Sequence, residues 1–515
     1  MANRLFRKKP LELLLKEMVG KNRLRRVLGP IQLTSLGVGA TIGTGIFVLT
    51  GVAANSKAGP ALMLSFVAAG IACVFAALCY AEFASMVPVA GSAYTYAFAT
   101  LGELFAWIIG WDLVLEYAVS ASTVAVGASQ YFQDFISIFG LKLPGAISRA
   151  PMDYNPTLGK LVATGAVLDL PAILITVLVT TILVIGMKES ARFNTAMVIV
   201  KVSIVLLVIG VGAFYVDPKN WQPFAPFGFA GISFFGKSLL GGADAGGQPT
   251  GMLAGAAIIF FAYIGFDSVS TNSEEARNPR RDVPLSIIAS LVICTILYIA
   301  VTAVLTGMIH YDQLDTNAPV SNAFKQKGLI WAQFLISLGA LAGITSVVLV
   351  SISSQARILL AMARDGLLPR NFFGAVHEKF RTPWKSTIVT GMFVGTATAF
   401  LPLRILADLV SIGTLSAFVI VCAAVLVMRR THPDAERPFR APFVPLVPIL
   451  GIATCLLLMF SLPAENWLRL GVWLLIGFVI YFSYGRHHSL LNGRTIQIDE
   501  AHPATASAVV RAEGD

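Results

Sequence analysis

The sequence predicts an all-α polytopic membrane protein, and three observations carry that reading. Only 13% of its 515 residues are charged, about half the ~25% usual in soluble domains. Hydrophobic residues make up 56%, and mean hydropathy is +0.75. Apolar runs approaching the ~20 residues that a spanning helix needs recur along the whole chain. They lie near 31–53, 61–86, 104–132, 171–188, 193–214, 251–271, 285–308, 331–360, 384–402, 405–428, 446–462 and 467–485, which predicts twelve transmembrane helices.

The net charge of +10 invites a nucleic-acid partner, but its distribution argues against one. With the N-terminus inside, 27 of the 38 lysines and arginines fall toward the cytoplasmic side and ten toward the outside, leaving Lys201 within a span. This asymmetry is the positive-inside pattern. It predicts a multi-pass protein of the cell inner membrane with both termini cytoplasmic. Residues 1–30 lack the apolar core of a cleavable signal. The run LELLLKEM, with Lys8, Lys9, Arg25 and Arg26 nearby, is expected to lie on the inner membrane surface as an amphipathic helix.

Signatures of enzymatic or ATP-driven chemistry are absent from the sequence. Cys73, Cys79, Cys294, Cys422 and Cys455 all fall in predicted spans, without metal-type spacing, and read as small apolar residues. The six histidines fall in loops or tails, and neither HExxH nor GxxxxGK[ST] occurs. No enzyme activity, cofactor or metal is expected.

Span one carries Gly37, Gly39, Gly43, Gly45 and Gly51, each costing a helix interior ~1 kcal/mol against alanine. The stretch Thr41-Ile42-Gly43-Thr44-Gly45 is where that helix is expected to open. Span six is interrupted by Gly265 and Asp267 in the middle of its apolar run. Five spans separate the two, so equivalent positions run in opposite directions. This predicts a five-plus-five inverted repeat with broken helices one and six meeting near the midplane. The repeats would be 31–214 and 251–428, with a basic segment 1–30, peripheral spans in 446–485 and a tail 486–515. Close helix packing is the other use of such glycines.

On span three, Asp112 and Glu116 share one helix face at i and i+4. Glu116 is expected near the midplane, where a carboxylate can attract a basic side chain, pair with Lys201, carry a proton or serve structure; Asp112 reads as structural. Span five buries Lys201 in FNTAMVIVKVSIVLLVIGVGAF, at a cost of ~2.5–3.5 kcal/mol for a charge at membrane depth. Its stem can snorkel part of the way to the surface, or the charge can serve coupling. Thr345, Ser346, Ser351, Ser353 and Ser354 on span eight read mainly as packing hydroxyls. Glu82 with Tyr94, and Asp267, are candidates for an inner gate, while Glu274, Glu275, Arg277 and Arg281 read as a solvated cluster.

The motifs GATIGTGIFVLTG (Gly39–Gly51), AGPA (Ala58–Ala61), CYAEFASMVPVAGSAYTYAFATLGE (Cys79–Glu103), GWDLVLEY (Gly110–Tyr117), FFAYIGFDSVSTNSEEARNP (Phe260–Pro279), ARDGLLP (Ala363–Pro369) and RPFRAPFVPLVPI (Arg437–Ile449) stand in this chain. Together they resemble the amino acid–polyamine–organocation transporter superfamily, in its bacterial branch similar to animal cationic amino acid transporters. The resemblance covers most of residues 28–488 and implies secondary transport of amino acids by alternating access. An open helix end presents unpaired N–H groups suited to a substrate carboxylate, expected here from Thr44 and Gly45, with Gly43 and Gly45 admitting close backbone approach. By resemblance, Thr41, Phe261, Ala262 and Ile264 offer carbonyl oxygens to the α-ammonium. Phe266 resembles an aromatic gate on the outward side. Relatives of this fold hold a sodium ion between spans one, five and eight, where Lys201 would supply the cation instead.

These readings converge on a secondary active amino acid permease, coupled to protons through Lys201 and carrying neutral or basic L-amino acids. Its expected partners are the amino acid, H+ and the lipid bilayer, with no nucleic acid; the sequence assigns neither an oligomeric state nor an accessory subunit. Exchange or uniport remains an alternative, followed by a channel or a non-transporting amino acid sensor.

Overall fold

A computed structural model describes residues 6–9, 28–86, 92–155, 160–185, 187–244, 247–380 and 382–491. The expected amphipathic run at 11–18 and the tail beyond 491 lie outside the described residues. Helices dominate. Among the described residues, eight helices are long and apolar enough to cross a membrane, from Gly45–Met86 to Ala464–His488, and Leu170–Ile185 and Leu446–Ser461 are shorter apolar helices.

The elements that position the site are α1 (Pro30–Thr41), α2 (Leu62–Met86), α3 (Glu103–Ser137), α4 (Leu170–Ile185), α5 (Met187–Gly212), α6 (Met252–Ile259), α7 (Ser268–Thr271), α8 (Pro279–Met308), α9 (Ile330–Arg364), α10 (Trp384–Phe400), α11 (Leu403–Thr431), α12 (Leu446–Ser461) and α13 (Ala464–Ile480). The 35-residue helices α3 and α9 pack along each other and form the spine. Against them lie α1, α4, α5, α10 and α11; α8 packs on α1 and α2, and α13 touches α3 and α11 from the rim. Burial follows this plan: 78% of the apolar window of α3 is inside, against 22% for the last span. A helix apolar all round and exposed to this extent is solvated by lipid.

The two faces of the bundle differ. The terminal face carries Phe6–Lys9, the end of α9 and the segment Ser489–Leu491. The opposite loop face carries three antiparallel hairpins that the sequence reading does not anticipate: Met152–Asn155 with Lys160–Ala163, Ile232–Phe234 with Lys237–Leu240, and Gly242–Ala243 with Pro249–Thr250. Phe234 and Phe235 seat the second hairpin on Phe460 and Trp467 at the α12–α13 corner.

Candidate functional site

Two interrupted helices cross at the centre of the bundle. α1 stops at Thr41, Ile42 is extended (φ −74°, ψ 104°), and helical structure resumes over Gly45–Leu49. α6 stops at Ile259 and tightens into the 3-10 turn Phe260–Tyr263; Ile264 is extended (φ −61°, ψ 133°) before α7 begins at Ser268. Gly265 has φ +119°, a conformation that L side chains rarely adopt. The breaks touch at two glycines. A Cβ on Gly45 would lie 2.4 Å from the Cα of Ala262, and one on Gly265 would lie 2.8 Å from the carbonyl carbon of Ala40. Gly43 is less confined, with Val347 Cγ2 at 3.0 Å. Gly43, Thr44, Gly45, Phe261, Ala262 and Ile264 therefore gather at one crossing, with Thr41 at the end of α1.

Tyr298 of α8 joins the two breaks. Its hydroxyl lies 2.8 Å from the Thr41 carbonyl oxygen and 2.9 Å from that of Ala262. The sequence reading passes over it, because a tyrosine in an apolar span carries no mark of its own. Thr41 also donates its hydroxyl back to Gly37.

Lys201 lies behind break one, fully buried. Its ammonium donates to the carbonyl oxygens of Gly39, Ile42 (3.0 Å) and Gly343 (3.4 Å) and to the Ser346 hydroxyl (3.0 Å). α5, α1 and α9 each contribute to this seat, and Gly343 provides room, since a Cβ there would lie 2.6 Å from the Lys201 Cβ. No carboxylate among the described residues pairs with it. The ammonium thus turns inward, away from a snorkelling path, and the expected alternative of a Glu116–Lys201 pair is not formed.

Glu116 lies elsewhere, on the α3 face toward break six. It is 1% exposed and neither carboxylate oxygen has a hydrogen-bond partner; Asp267 and Asp112 are its charged neighbours. Asp267 accepts the Tyr117 hydroxyl at 2.8 Å and the Gly265 N–H at 3.3 Å. Asp112 accepts the Ser416 hydroxyl at 2.5 Å, leaving its other oxygen without a partner. Break one therefore carries a cation and break six a set of carboxylates.

Phe266 follows break six. The chain runs from the loop face through α6 toward the terminal face, so a residue after the break lies on the terminal side. Phe266 packs there on Tyr80 and Phe418, with ring centroids 6.4 and 5.3 Å away. Phe261, 4% exposed, precedes the break and lies on the loop side.

Ion pairs close the terminal side. Glu82 and Tyr94, expected together, belong to separate clusters. Glu82 accepts from Arg429 at 2.7 and 2.9 Å and from the Ala441 N–H, with Arg437 beside it. Tyr94 donates to Asp365 at 2.6 Å, and Lys9, expected at the membrane surface, is buried against the same carboxylate at 2.7 Å. Glu275, expected in a solvated cluster, pairs at 2.9 Å with Arg357 of α9, which also donates to Asn272. On the loop side lies a cavity of about 350 Å3 lined by Gln130, Asp134, Asp169, Asp315, Asn317 and Asn322, among others. Val126 lines it too, one residue from Gly127, which packs directly on Thr44. Burial raises the Asp169 carboxyl to about 6, although the Ser129 hydroxyl and the Ala172 N–H both donate to it.

The profile of a family described as "Amino acid permease" matches residues 28–481. The chain is 47% identical to the methylthioribose transporter of Bacillus subtilis, over 95% of this chain and 99% of that one. It is also 47% identical to the branched-chain amino acid permease BcaP of the same organism, over 96% and 100%. Vacuolar cationic amino acid transporter 4 of Arabidopsis thaliana is 32% identical over 92% and 94%. With its many apolar helices and a match over nearly its full length, this chain is a multi-pass membrane protein of the amino acid permease family.

Proposed function

We propose that this protein is a secondary active permease that carries neutral or basic L-amino acids by alternating access and couples their movement to protons. The observation that carries the reading is the crossing of two broken helices, with the Lys201 ammonium seated against the end of one of them. A helix end leaves N–H or C=O groups without partners, and the two breaks offer both kinds at one point. In this reading the N–H groups of Gly43, Thr44 and Gly45 hold the substrate carboxylate, and the carbonyl groups of Thr41, Phe261, Ala262 and Ile264 hold its ammonium. Phe261, on the loop side, takes the gating part first expected of Phe266.

Lys201 occupies the place of a bound cation and holds α1 to α5 and α9. Losing its proton would remove donors from several buried oxygens together, which ties its charge to the arrangement of the helices. Glu116 and Asp267 form a second candidate proton site, since neighbouring buried carboxylates hold a proton between them at lower cost than two charges. The architecture belonging to this reading is twelve spans, with inverted repeats over 31–214 and 251–428 and peripheral spans in 446–485. The terminal face is cytoplasmic, the loop face is outside, and the chain resides in the cell inner membrane.

Two relatives of equal identity carry different named substrates, so identity alone does not choose between them. Methylthioribose has neither carboxylate nor ammonium, the two groups that paired helix ends match. Uptake into proteoliposomes of labelled alanine, leucine, arginine and methylthioribose, with and without an inward proton gradient, tests the reading. Proton-driven amino acid accumulation is expected. Sodium dependence alone, or uptake of methylthioribose only, contradicts it; exchange without net uptake assigns an exchanger, and binding without uptake a sensor.

A further inference from the structure

Buried polar atoms are normally paired, and leaving one without a partner costs ~1–3 kcal/mol. Such atoms gather beside break six. They are both carboxylate oxygens of Glu116, Oδ1 of Asp112, and the hydroxyls of Tyr80 and Tyr96, none with a hydrogen-bond partner among the described residues. All four side chains are buried. Glu116, Asp267 and Tyr96 are the charged or phenolic groups around the Tyr80 hydroxyl, with the Cys422 thiol. Tyr80 and Tyr96 stand with ring centroids 6.3 Å apart, and Phe266 and Phe418 pack on Tyr80. Asp112 lies one turn from Glu116 on α3.

The nearest hydroxyls are committed elsewhere. Thr414, beside Glu116, donates to the Val410 carbonyl at 3.1 Å. Ser270, beside Tyr96, donates to the Asp267 carbonyl at 2.6 Å or to Ser92 at 2.9 Å. Among the described residues, no lysine or arginine pairs with Asp112, Glu116 or Asp267. There is also room. A Cβ on Gly413 would meet only the Asp112 carboxyl within 4 Å, at 3.2 Å from the unpartnered Oδ1. Open space against unpartnered donors and acceptors suits buried water, which typically makes ~3 hydrogen bonds.

We propose that Tyr80, Tyr96, Asp112 and Glu116 hold a buried water cluster that carries the proton from break six toward the terminal face. The proposal rests on the proton-coupled reading and gives the Glu116–Asp267 site a route of exchange. Beyond Tyr96 the hydroxyls continue through Ser270 to Ser92, and Ser273 donates to the Ser270 carbonyl. Asn272 and Glu275, held by Arg357, stand where this row reaches the terminal side. At each step a water or phenol takes a proton on one lone pair and releases its own from the other side. No tyrosinate accumulates, and nothing is oxidised or reduced.

The test has two arms, both on the full chain. Hydroxyl radicals generated by X-rays modify side chains that touch bound water. Tyr298, equally buried but set between two carbonyl groups, is the dry control. Tyr80 and Tyr96 should be modified at least ~fivefold faster than Tyr298, and equal rates overturn the water cluster. In proteoliposomes, Tyr80→Phe and Tyr96→Phe keep the rings and remove hydroxyls that no protein group needs, so thermal stability should not fall. Proton-driven uptake should drop at least ~10-fold, while exchange of labelled substrate, which needs no net proton release, stays within ~2-fold. Gly413→Ala sets a methyl group against Asp112; it should slow uptake in the same way and provides the measurement if a tyrosine change does not fold. Parental uptake in the folded variants overturns the relay, as does equal loss of uptake and exchange. Failure of the coupling reading would appear separately, as a parent protein without proton-driven uptake.

Discussion

The two breaks solve one problem with opposite charges. At break one, α1 ends in carbonyl groups and Lys201 supplies a cation to Gly39 and Ile42. At break six, α7 begins with N–H groups and Asp267 supplies an anion next to them. Each charge matches the polarity of the backbone beside it. They differ in how completely they are satisfied. Lys201 has four oxygen acceptors around one ammonium, whereas Glu116, next to Asp267, has none for either oxygen. Break one is a closed electrostatic unit in this conformation, and break six has unused capacity for a proton or a substrate cation.

The largest effect should come from pushing the breaks apart. Gly45→Ala sets a methyl group against the Ala262 backbone and should cut uptake per folded molecule ~100-fold, the order seen when reacting or binding groups shift by ~1 Å. Gly43→Ala meets only a valine methyl within the protein and leaves the breaks in contact, so its loss should be smaller, ~10-fold, through crowding of the substrate carboxylate. Equal losses at the two glycines would mean that the crossing is not the site. Next, Asp267→Asn keeps an acceptor for Tyr117 but removes the charge from break six. Gradient-driven uptake should fall ~10-fold, equivalent to ~1.4 kcal/mol, while exchange of labelled substrate persists. Loss of both would make Asp267 structural.

Tyr298→Phe weakens both breaks at once by removing the hydroxyl that lies between their carbonyl groups. Thermal unfolding in detergent should show a loss of ~1–3 kcal/mol, the cost of a buried acceptor left without its donor. The smallest effect lies far from either break. Asp169 binds its proton more tightly folded than unfolded, so its contribution is present at low pH and is lost as pH rises from the unfolded value of ~4 to about 6. Asp169→Asn should flatten that part of the stability profile by up to ~3 kcal/mol, and an unchanged slope would assign it to other groups.

How much of this was legible differs between the breaks as well. The sequence located both interruptions, because glycines clustered in an apolar run and a carboxylate after a mid-span glycine are costly features. Lys201 was legible for the same reason, and the helix ends it serves followed from its depth and the family resemblance. Partner choice was not legible. Lys9 and Asp365 lie 356 positions apart, and Tyr298 reaches back 257 positions to Thr41. Helical periodicity marks which face of a helix is buried but not which distant helix covers it.

The central claim is that the Lys201 charge couples a proton to movement at break one. The direct measurement compares Lys201→Ala with the parent in proteoliposomes, recording proton-driven accumulation and equilibrium substrate binding together. Accumulation should fall at least ~10-fold while binding weakens by less than ~3-fold, a coupling loss of ~1.4 kcal/mol or more separated from recognition. Equal accumulation by the two proteins would contradict the account and leave Lys201 as a fixed structural cation.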